Sequence, residues 1–395
     1  MISTNRQAGP DILRGLAAGV VLIHHFLLIF YPALFTTLPE HAHTSANTEA
    51  QFAYSPLSFL WNGHFAVSIF FVLSGYVLSL PYFANNELSS PGKNALQRYP
   101  RLILPVTASV IIGWLLLRMN AFSNISAAQV YTKNEFWFSN LWRIQPDFFS
   151  ALYEAFLQAP FYGGTFEYNP VLWTITVEFL GSLLVFALLA LTGSARNRII
   201  LYILLGILLY KSHLMAFVIG TALADYRYTR YFRPLNRYAR LFLLAAALYA
   251  GSFHWMKFLN PGEWGVINYM TAHGTRIVYI ASAALLLLCA INRTTTRSTP
   301  LVRIGSSLGQ ISFGIYLLHL LIMGTFSCWL FDQLSSLHLS YHWCVLCTFL
   351  GTGLLTIAAA YLFYLLIDRQ AIRFARYIAD TAFRQKAGTE MQGNS

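Results

Sequence analysis

The chain is built from apolar runs close to 20 residues long. NPVLWTITVEFLGSLLVFALLALT (169–192) and WCVLCTFLGTGLLTIAAAYLFYLLI (343–367) are two of them. A helix of about 20 such residues is about 30 Å long, which is the thickness of a bilayer's hydrocarbon core. Only 10% of the 395 residues are charged, against about 25% in soluble domains. A chain this long cannot cover a globule with so little polar surface. The sequence therefore predicts an all-α polytopic membrane protein.

About ten transmembrane helices are expected, near 12–33, 59–82, 101–118, 169–192, 198–212, 213–226, 241–258, 273–291, 304–327 and 343–367. The segment from 119 to 168 is rich in Trp, Phe and Tyr, as suits a membrane interface, and is expected to hold an amphipathic or re-entrant helix. The net charge is +11, but the basic residues form neither one face nor one tail. They lie in short clusters between apolar runs: Lys93, Arg98 and Arg101; arginines 227, 230, 233, 237 and 240; arginines 293, 297 and 303; arginines 369, 373 and 376. That is the pattern of topology determinants, not of a nucleic-acid surface. Read alternately, the clusters put both termini in the cytoplasm. Residues 1–370 then form the membrane domain and 371–395 a basic cytoplasmic tail. The first apolar run is too long for a secretory signal peptide and lacks a small-residue cleavage site. Four cysteines do not make a disulfide framework, and Cys344 and Cys347, spaced CxxC, have no second pair; no metal is expected.

Three ionisable residues stand out against this background. Arg14 and His25 are eleven apart in the first span. At about 100° per residue they share one helix face, about 16 Å apart along the axis. With Arg14 at one interface, His25 lies near the midplane, where an ionisable side chain is a functional candidate. His24 is turned about 100° away and is secondary. Asp11, three residues before Arg14, is placed to pair with it. Glu178 is about nine residues into the fourth span, at a depth close to that of His25. A Glu178–His25 pair would satisfy both groups and would make a general base with an orienting carboxylate. The alternatives are a snorkelling anchor at Arg14, a packing hydrogen bond at His25 and a purely structural pair.

At the other end of the second span, Ser74 and Gly75 are small enough to admit a backbone or an extended ligand, and Tyr76 adds a polar tip. Ser74 as a nucleophile has no base beside it in sequence. Arg98 and Arg101 share a helix face at the head of the third span. They read either as anchors or as a receptor for phosphate.

Taken together these motifs resemble the acyltransferase-3 family of integral membrane acyltransferases, over most of the chain. DILRGLAAGVVLIHH is similar to the family's Arg-x10-His first helix, and HFAVSIFFVLSGY to its Phe-x-x-Ser-Gly-Tyr segment. QRYPRLILP is similar to its Arg-x-x-Arg element, LWTITVEF to its Trp-Ser-Leu-x-x-Glu helix with Trp173 and Glu178, and ISFGIYLLHL to its late Tyr-Leu-Leu-His segment with His319. The resemblance implies transfer of an acyl group, usually acetyl, from cytoplasmic acyl-CoA to a hydroxyl of an extracytoplasmic glycan or glycolipid. Acyl-CoA is then the donor substrate, and no bound cofactor is implied. Arg98 and Arg101 would hold the CoA phosphates, with Arg14, Ser74 and Tyr76 on the donor side. His25 would be the general base or a transient acyl carrier, with Glu178 orienting it. The setting implied is the bacterial cytoplasmic (inner) membrane. The sequence departs from the family after Glu178, where Phe-Leu-Gly follows, and at Asp368-Arg369-Gln370, where relatives often carry Glu, a basic residue and Pro.

Two other readings use midplane charge. A transporter or flippase of a glycan or lipid-linked intermediate would move solute without a covalent product. A glycan polymerase or ligase would carry arginines in large outer loops, whereas here they concentrate on the side of the N-terminus. The acceptor sugar, the acyl chain and the oligomeric state are not specified by these motifs.

Overall fold

A computed structural model describes residues 8–85, 90–192, 197–253, 265–292 and 300–392. The expected basic residues 293 and 297 lie outside them. Among the described residues all regular structure is helical. The main helices are α1 (Ala8–Phe30), α2 (Gly63–Asn85), α3 (Ser90–Arg118), α4 (Phe148–Tyr153), α5 (Trp173–Thr192), α6 (Arg198–Leu208), α7 (Leu214–Tyr228), α8 (Arg237–Gly251), α9 (Gly265–Ile291), α10 (Pro300–Ile322), α11 (Cys328–Ser335), α12 (Tyr341–Phe363) and α13 (Arg369–Gln392).

Seven helical stretches of the described residues are long and apolar enough to cross a membrane. The described parts of the ten expected segments are mainly helical, residues 254–258 of the seventh lying outside them, but α6 has 11 residues and α7 and α8 have 15 each. Fifteen residues rise only about 22 Å, short of the hydrocarbon thickness. Hydropathy alone did not distinguish these short helices from full spans.

Helix contacts are made by small residues. A Cβ on Gly75 would lie 2.3 Å from the Phe217 carbonyl oxygen, and one on Gly220 2.2 Å from that of Val72. The backbones of α2 and α7 therefore touch directly. The same device joins α1 to α10, where a Cβ on Gly309 would lie 2.2 Å from the Asp11 oxygen. In a bilayer, where lipid is as apolar as leucine, such close approach is the main source of helix affinity.

The segment between α3 and α5 has a structure of its own. Asp147 caps α4 by accepting from the Ser150 N–H at 2.6 Å. The helix then continues as a π-helix, Glu154–Tyr162. It runs along α3, from a Phe148–Trp114 contact near one end to Phe161 stacked on Tyr99 near the other. Gly163 and Gly164, both at positive φ, turn the chain back. The return leg reaches Ser109, whose hydroxyl accepts from the Asn169 amide at 3.1 Å. Its backbone is satisfied by one buried carboxylate: Glu154 accepts from the N–H groups of Glu167, Tyr168 and Asn169 at 2.6–3.2 Å. This hairpin is of the re-entrant kind, and backbone inside a bundle is tolerated only when paired in this way.

Two ends of the bundle can be distinguished. One, the basic end, carries Lys93, Arg98, Arg101 and Arg369. The other, the loop end, carries the connections 31–62 and 119–147, which fold onto each other: the Lys133 ammonium caps the Ala42 carbonyl. Residues expected as a tail continue α12 through a π-turn into α13. There Ala371, Ala375 and Ala379 form one buried face against α3, with Lys93 and Asp380 paired at its edge.

Candidate active site

A cavity of about 260 Å³ opens among α1, α2, α3, α5, α10 and the α12–α13 junction. Its polar wall holds Arg14, Arg98 and Arg101 with Glu178, Asp368 and Ser74. The sequence separated these residues by hundreds of positions; the fold gathers them at the basic end. Arg98 forms an ion pair with Glu178, in a setting that leaves the two side chains 8% and 17% exposed. The Ser74 hydroxyl donates to the same carboxylate oxygen at 2.7 Å. Asp368 faces Arg101 and Arg14. The Nε–H of Arg98 is buried and makes no hydrogen bond. The pocket thus holds three guanidinium groups against two carboxylates, with one donor unused. Such a wall suits an anion of several charges.

Toward the loop end the cavity is lined by Tyr316 and Thr174. Tyr316 donates to the Val171 carbonyl at 2.5 Å, and its oxygen is 2.7 Å from Thr174 Oγ1. One turn further along α10 is His319, fully buried, its ring 6.0 Å from that of Tyr316. Its Nε2 is 3.1 Å from Nδ1 of His25.

The tautomers of this pair follow from their carbonyl neighbours. Nδ1 of His319 is 3.0 Å from the Ile315 oxygen, and Nδ1 of His25 is 3.0 Å from the Val21 oxygen. A carbonyl only accepts, so both Nδ1 atoms carry hydrogen in the neutral rings. Nε2 of His319 is then a lone pair facing the His25 N–H. Nε2 of His25 is left as a free base. It makes no hydrogen bond within the described residues, yet it is not sealed from solvent.

This geometry corrects the expected pairing. Glu178 sits on Arg98 and Ser74, not on His25; the partner of His25 is His319. The physical reason is the re-entrant hairpin. Depth counted from residue 169 assumes that the chain enters the membrane there, but Tyr168, Asn169, Val171 and Leu172 are already buried within the bundle, with Asn169 bonded to Ser109 well along α3. Thr174 is level with Tyr316, Glu178 is a turn nearer the basic end, and His319 a turn further from it. The two sites are therefore roughly 10 Å apart along the bundle.

The other expected residues divide similarly. Arg14, Arg98, Arg101 and Ser74 line the cavity. Tyr76 does not: it is fully buried in the contact of α2 with α7. Gly75 admits the α7 backbone and not a ligand. Asp11 is buried where α1 meets α10. The Trp173 ring lies beside that of His213, centroids 5.8 Å apart and planes tilted by 51°. His24 points the opposite way from the His25–His319 contact. Its Nδ1 lies 2.9 Å from the Trp61 oxygen, and its ring helps enclose a cavity of about 20 Å³ with His64, Asn62 and Ser58. That space holds about one water.

Sequence reasoning passed over several residues of this region. Tyr316 was legible, three positions before His319 in the same motif. Asp368 was noted only as a departure. His64, His213 and Trp137 carried no local signal. Trp137, counted among interfacial aromatics, has its ring 5.9 Å from that of His25.

The family profile described as an acyltransferase domain matches residues 7–365, nearly the whole chain. No curated protein and no solved structure gives a significant match. On this match, with seven helices fit to cross a bilayer, the chain belongs to the acyltransferase-3 family of multi-pass membrane acyltransferases.

Proposed function

We propose that the protein moves an acetyl group from cytoplasmic acetyl-CoA to a hydroxyl of an extracytoplasmic or lipid-linked glycan, across a bacterial cytoplasmic membrane. The observation that carries this reading is the free Nε2 of His25, set one turn beyond an arginine-lined cavity. By the positive-inside rule the basic end faces the cytoplasm. The donor enters there, with its phosphates on Arg14, Arg98 and Arg101. Glu178 holds the Arg98 guanidinium in place against the cavity wall. The pantetheine arm runs along the apolar wall toward Tyr316. The cavity extends to Tyr316 and Thr174, one turn of α10 from His319, which brings the thioester end of the donor toward the His25–His319 pair.

His25 takes the proton of the acceptor hydroxyl at Nε2. The alkoxide oxygen attacks the thioester carbonyl, and the C–S bond breaks as the new C–O bond is kept. The same proton passes to the departing thiolate. One ester and one free thiol result, and no proton is gained or lost overall. As His25 becomes an imidazolium, its Nδ1–H is held by the Nε2 lone pair of His319. A neutral imidazole performs the orienting role expected of a carboxylate, without adding charge to the bundle. General-base catalysis of this kind contributes about 10²–10⁴-fold in rate.

The test is acyl-ester analysis of surface glycan by mass spectrometry from cells carrying wild type or His25→Ala at equal protein level. Loss of the ester in the variant is expected. Retained acylation refutes the assignment of the base, and solute flux without any acylated product would identify a transporter instead.

A further inference from the structure

The site still lacks a place for the acceptor, and the loop end supplies one. Trp137 belongs to the 119–147 connection, which is tied internally and fastened both to α1 and to the π-helix Met323–Ser327 that follows α10. The Asn134 amide donates to the Leu28 carbonyl at 2.7 Å, and its oxygen accepts from the Phe138 N–H at 3.2 Å. The Asn124 amide ties Phe138 and Leu141 together at 2.8 and 2.9 Å. Ser123 N–H donates to the Gly324 carbonyl at 3.0 Å. These bonds hold residue 137 directly over the His25 turn of α1.

The two rings are 5.9 Å apart and tilted by 33°. That gap is too narrow for a ligand to slide between them, so anything bound lies across their shared rim. Each ring has one polar atom without a partner. Nε1 of Trp137 donates no hydrogen bond and Nε2 of His25 makes none, and neither is sealed from solvent. One is a donor only; the other, in the tautomer derived above, is an acceptor only. A hydroxyl is the group that complements such a pair, because it donates and accepts at one oxygen. Beside them Phe136, 47% exposed, stacks on His41 with centroids 5.1 Å apart. Aromatic faces of this kind take the C–H face of a saturated ring, while the indole N–H fixes its orientation.

We infer that Trp137 forms the acceptor subsite: a sugar ring rests against Trp137 and the Phe136–His41 ledge, and its reacting hydroxyl bridges the Trp137 N–H and His25 Nε2. This deepens the proposed function and rests on His25 being the base. A site built to hydrogen-bond a hydroxyl also rejects acceptors that lack one.

The experiment compares Trp137→Phe, Trp137→Ala and His25→Ala. Cells carrying each variant are assayed for acetyl ester on surface glycan, and each purified protein for acetyl-CoA binding. Trp137→Phe keeps an aromatic face and loses the N–H; it is expected to lower acylation about 5–10-fold, as one lost hydrogen bond of about 1–1.5 kcal/mol does. Trp137→Ala is expected to lower it well beyond 10-fold. Acetyl-CoA affinity stays at the wild-type value in Trp137→Phe. Wild-type acylation in Trp137→Phe, with His25→Ala silent, overturns the subsite. So does a loss in Trp137→Phe that is matched by weaker acetyl-CoA binding, since that marks a structural role. Wild-type acylation in His25→Ala overturns the underlying reading instead, and so the two failures are distinguishable.

Discussion

Nε2 of His319 stands 3.1 Å from Nδ1 of His25, across the contact between the first helix and the tenth. His319 is fully buried and its other nitrogen is committed to the Ile315 carbonyl. On the proposed mechanism it would act on the reaction only through His25. Replacing it with Phe removes the lone pair that receives the His25 N–H. The expected result is a fall in kcat of about 10²-fold or more, since the imidazolium form of the base loses its support. Acetyl-CoA affinity should stay unchanged, because the arginine-lined wall proposed to hold the donor is roughly 10 Å away. Asn in place of His319, whose amide oxygen still accepts, should restore part of the rate. A steady-state comparison of the two variants separates positioning from simple loss of packing.

The Glu178–Arg98 pair makes a contrasting prediction. Both side chains are largely buried. Removing one partner of such a pair leaves an uncompensated charge and costs about 3–5 kcal/mol. Glu178→Ala is thus expected to lower the thermal midpoint strongly, and Glu178→Ala with Arg98→Met to recover much of it. Donor affinity should not recover with it if Arg98 holds a donor phosphate as proposed. The pH profile of kcat in Glu178→Gln should keep its wild-type shape. A displaced profile would mean that the carboxylate does tune His25.

Much of the fold and site was legible in the sequence, and the misses share a cause. The helical class follows from run length and the scarcity of charge. Arg14, Arg98, Arg101 and Ser74 were identified by their place in apolar runs, and all four line one cavity. The His25–Glu178 pairing failed because depth was counted along the chain as if every segment began at a membrane face. Glu154 fixes the backbone of the return leg at residues 167–169, through three N–H bonds made across 13 to 15 residues. No periodicity announces such a carboxylate. The short helix α7 was read as a span because its composition is apolar; the two glycines that seat it on α2 act in pairs, and pairing is not visible in either segment alone.

Those glycines give a packing prediction with an internal control. A Cβ at Gly75 would meet the Phe217 backbone at 2.3 Å. Backbone cannot swing aside as a side chain can, so Gly75→Ala must push α7 off α2. Overpacking of this kind costs about 1–3 kcal/mol. Gly19, in the first helix, has nothing within 4 Å of its Cβ position. Gly19→Ala is expected to be neutral or slightly stabilising, since alanine is the better helix former. Thermal melts in detergent should rank Gly75→Ala well below wild type and Gly19→Ala at or above it. The reverse order would show that α2 and α7 are not in direct contact.

The loop end carries a pH dependence of its own, at His43. Its ring stacks on Tyr341 with centroids 3.9 Å apart and planes within 8°. Nε2 is 3.1 Å from the Tyr341 oxygen and 3.4 Å from the Thr132 carbonyl. Burial pushes the His43 imidazole down to about 4; the Thr132 carbonyl opposes this, and Lys133 and His342 add to it. A free histidine titrates near 6.5. The folded loop thus binds the proton less readily than the opened one, so acid favours opening. The contribution of His43 to docking of the 37–62 connection is full above about 6.5 and is lost as pH falls from there to about 4. Below that both states are protonated and the dependence ends. Hydrogen exchange in residues 37–62 is expected to quicken between pH 7 and pH 5. In His43→Phe, which keeps the stack and cannot titrate, the exchange corrected for its intrinsic pH dependence should be flat over the same range. Equal acceleration in the variant would assign the opening to a different group.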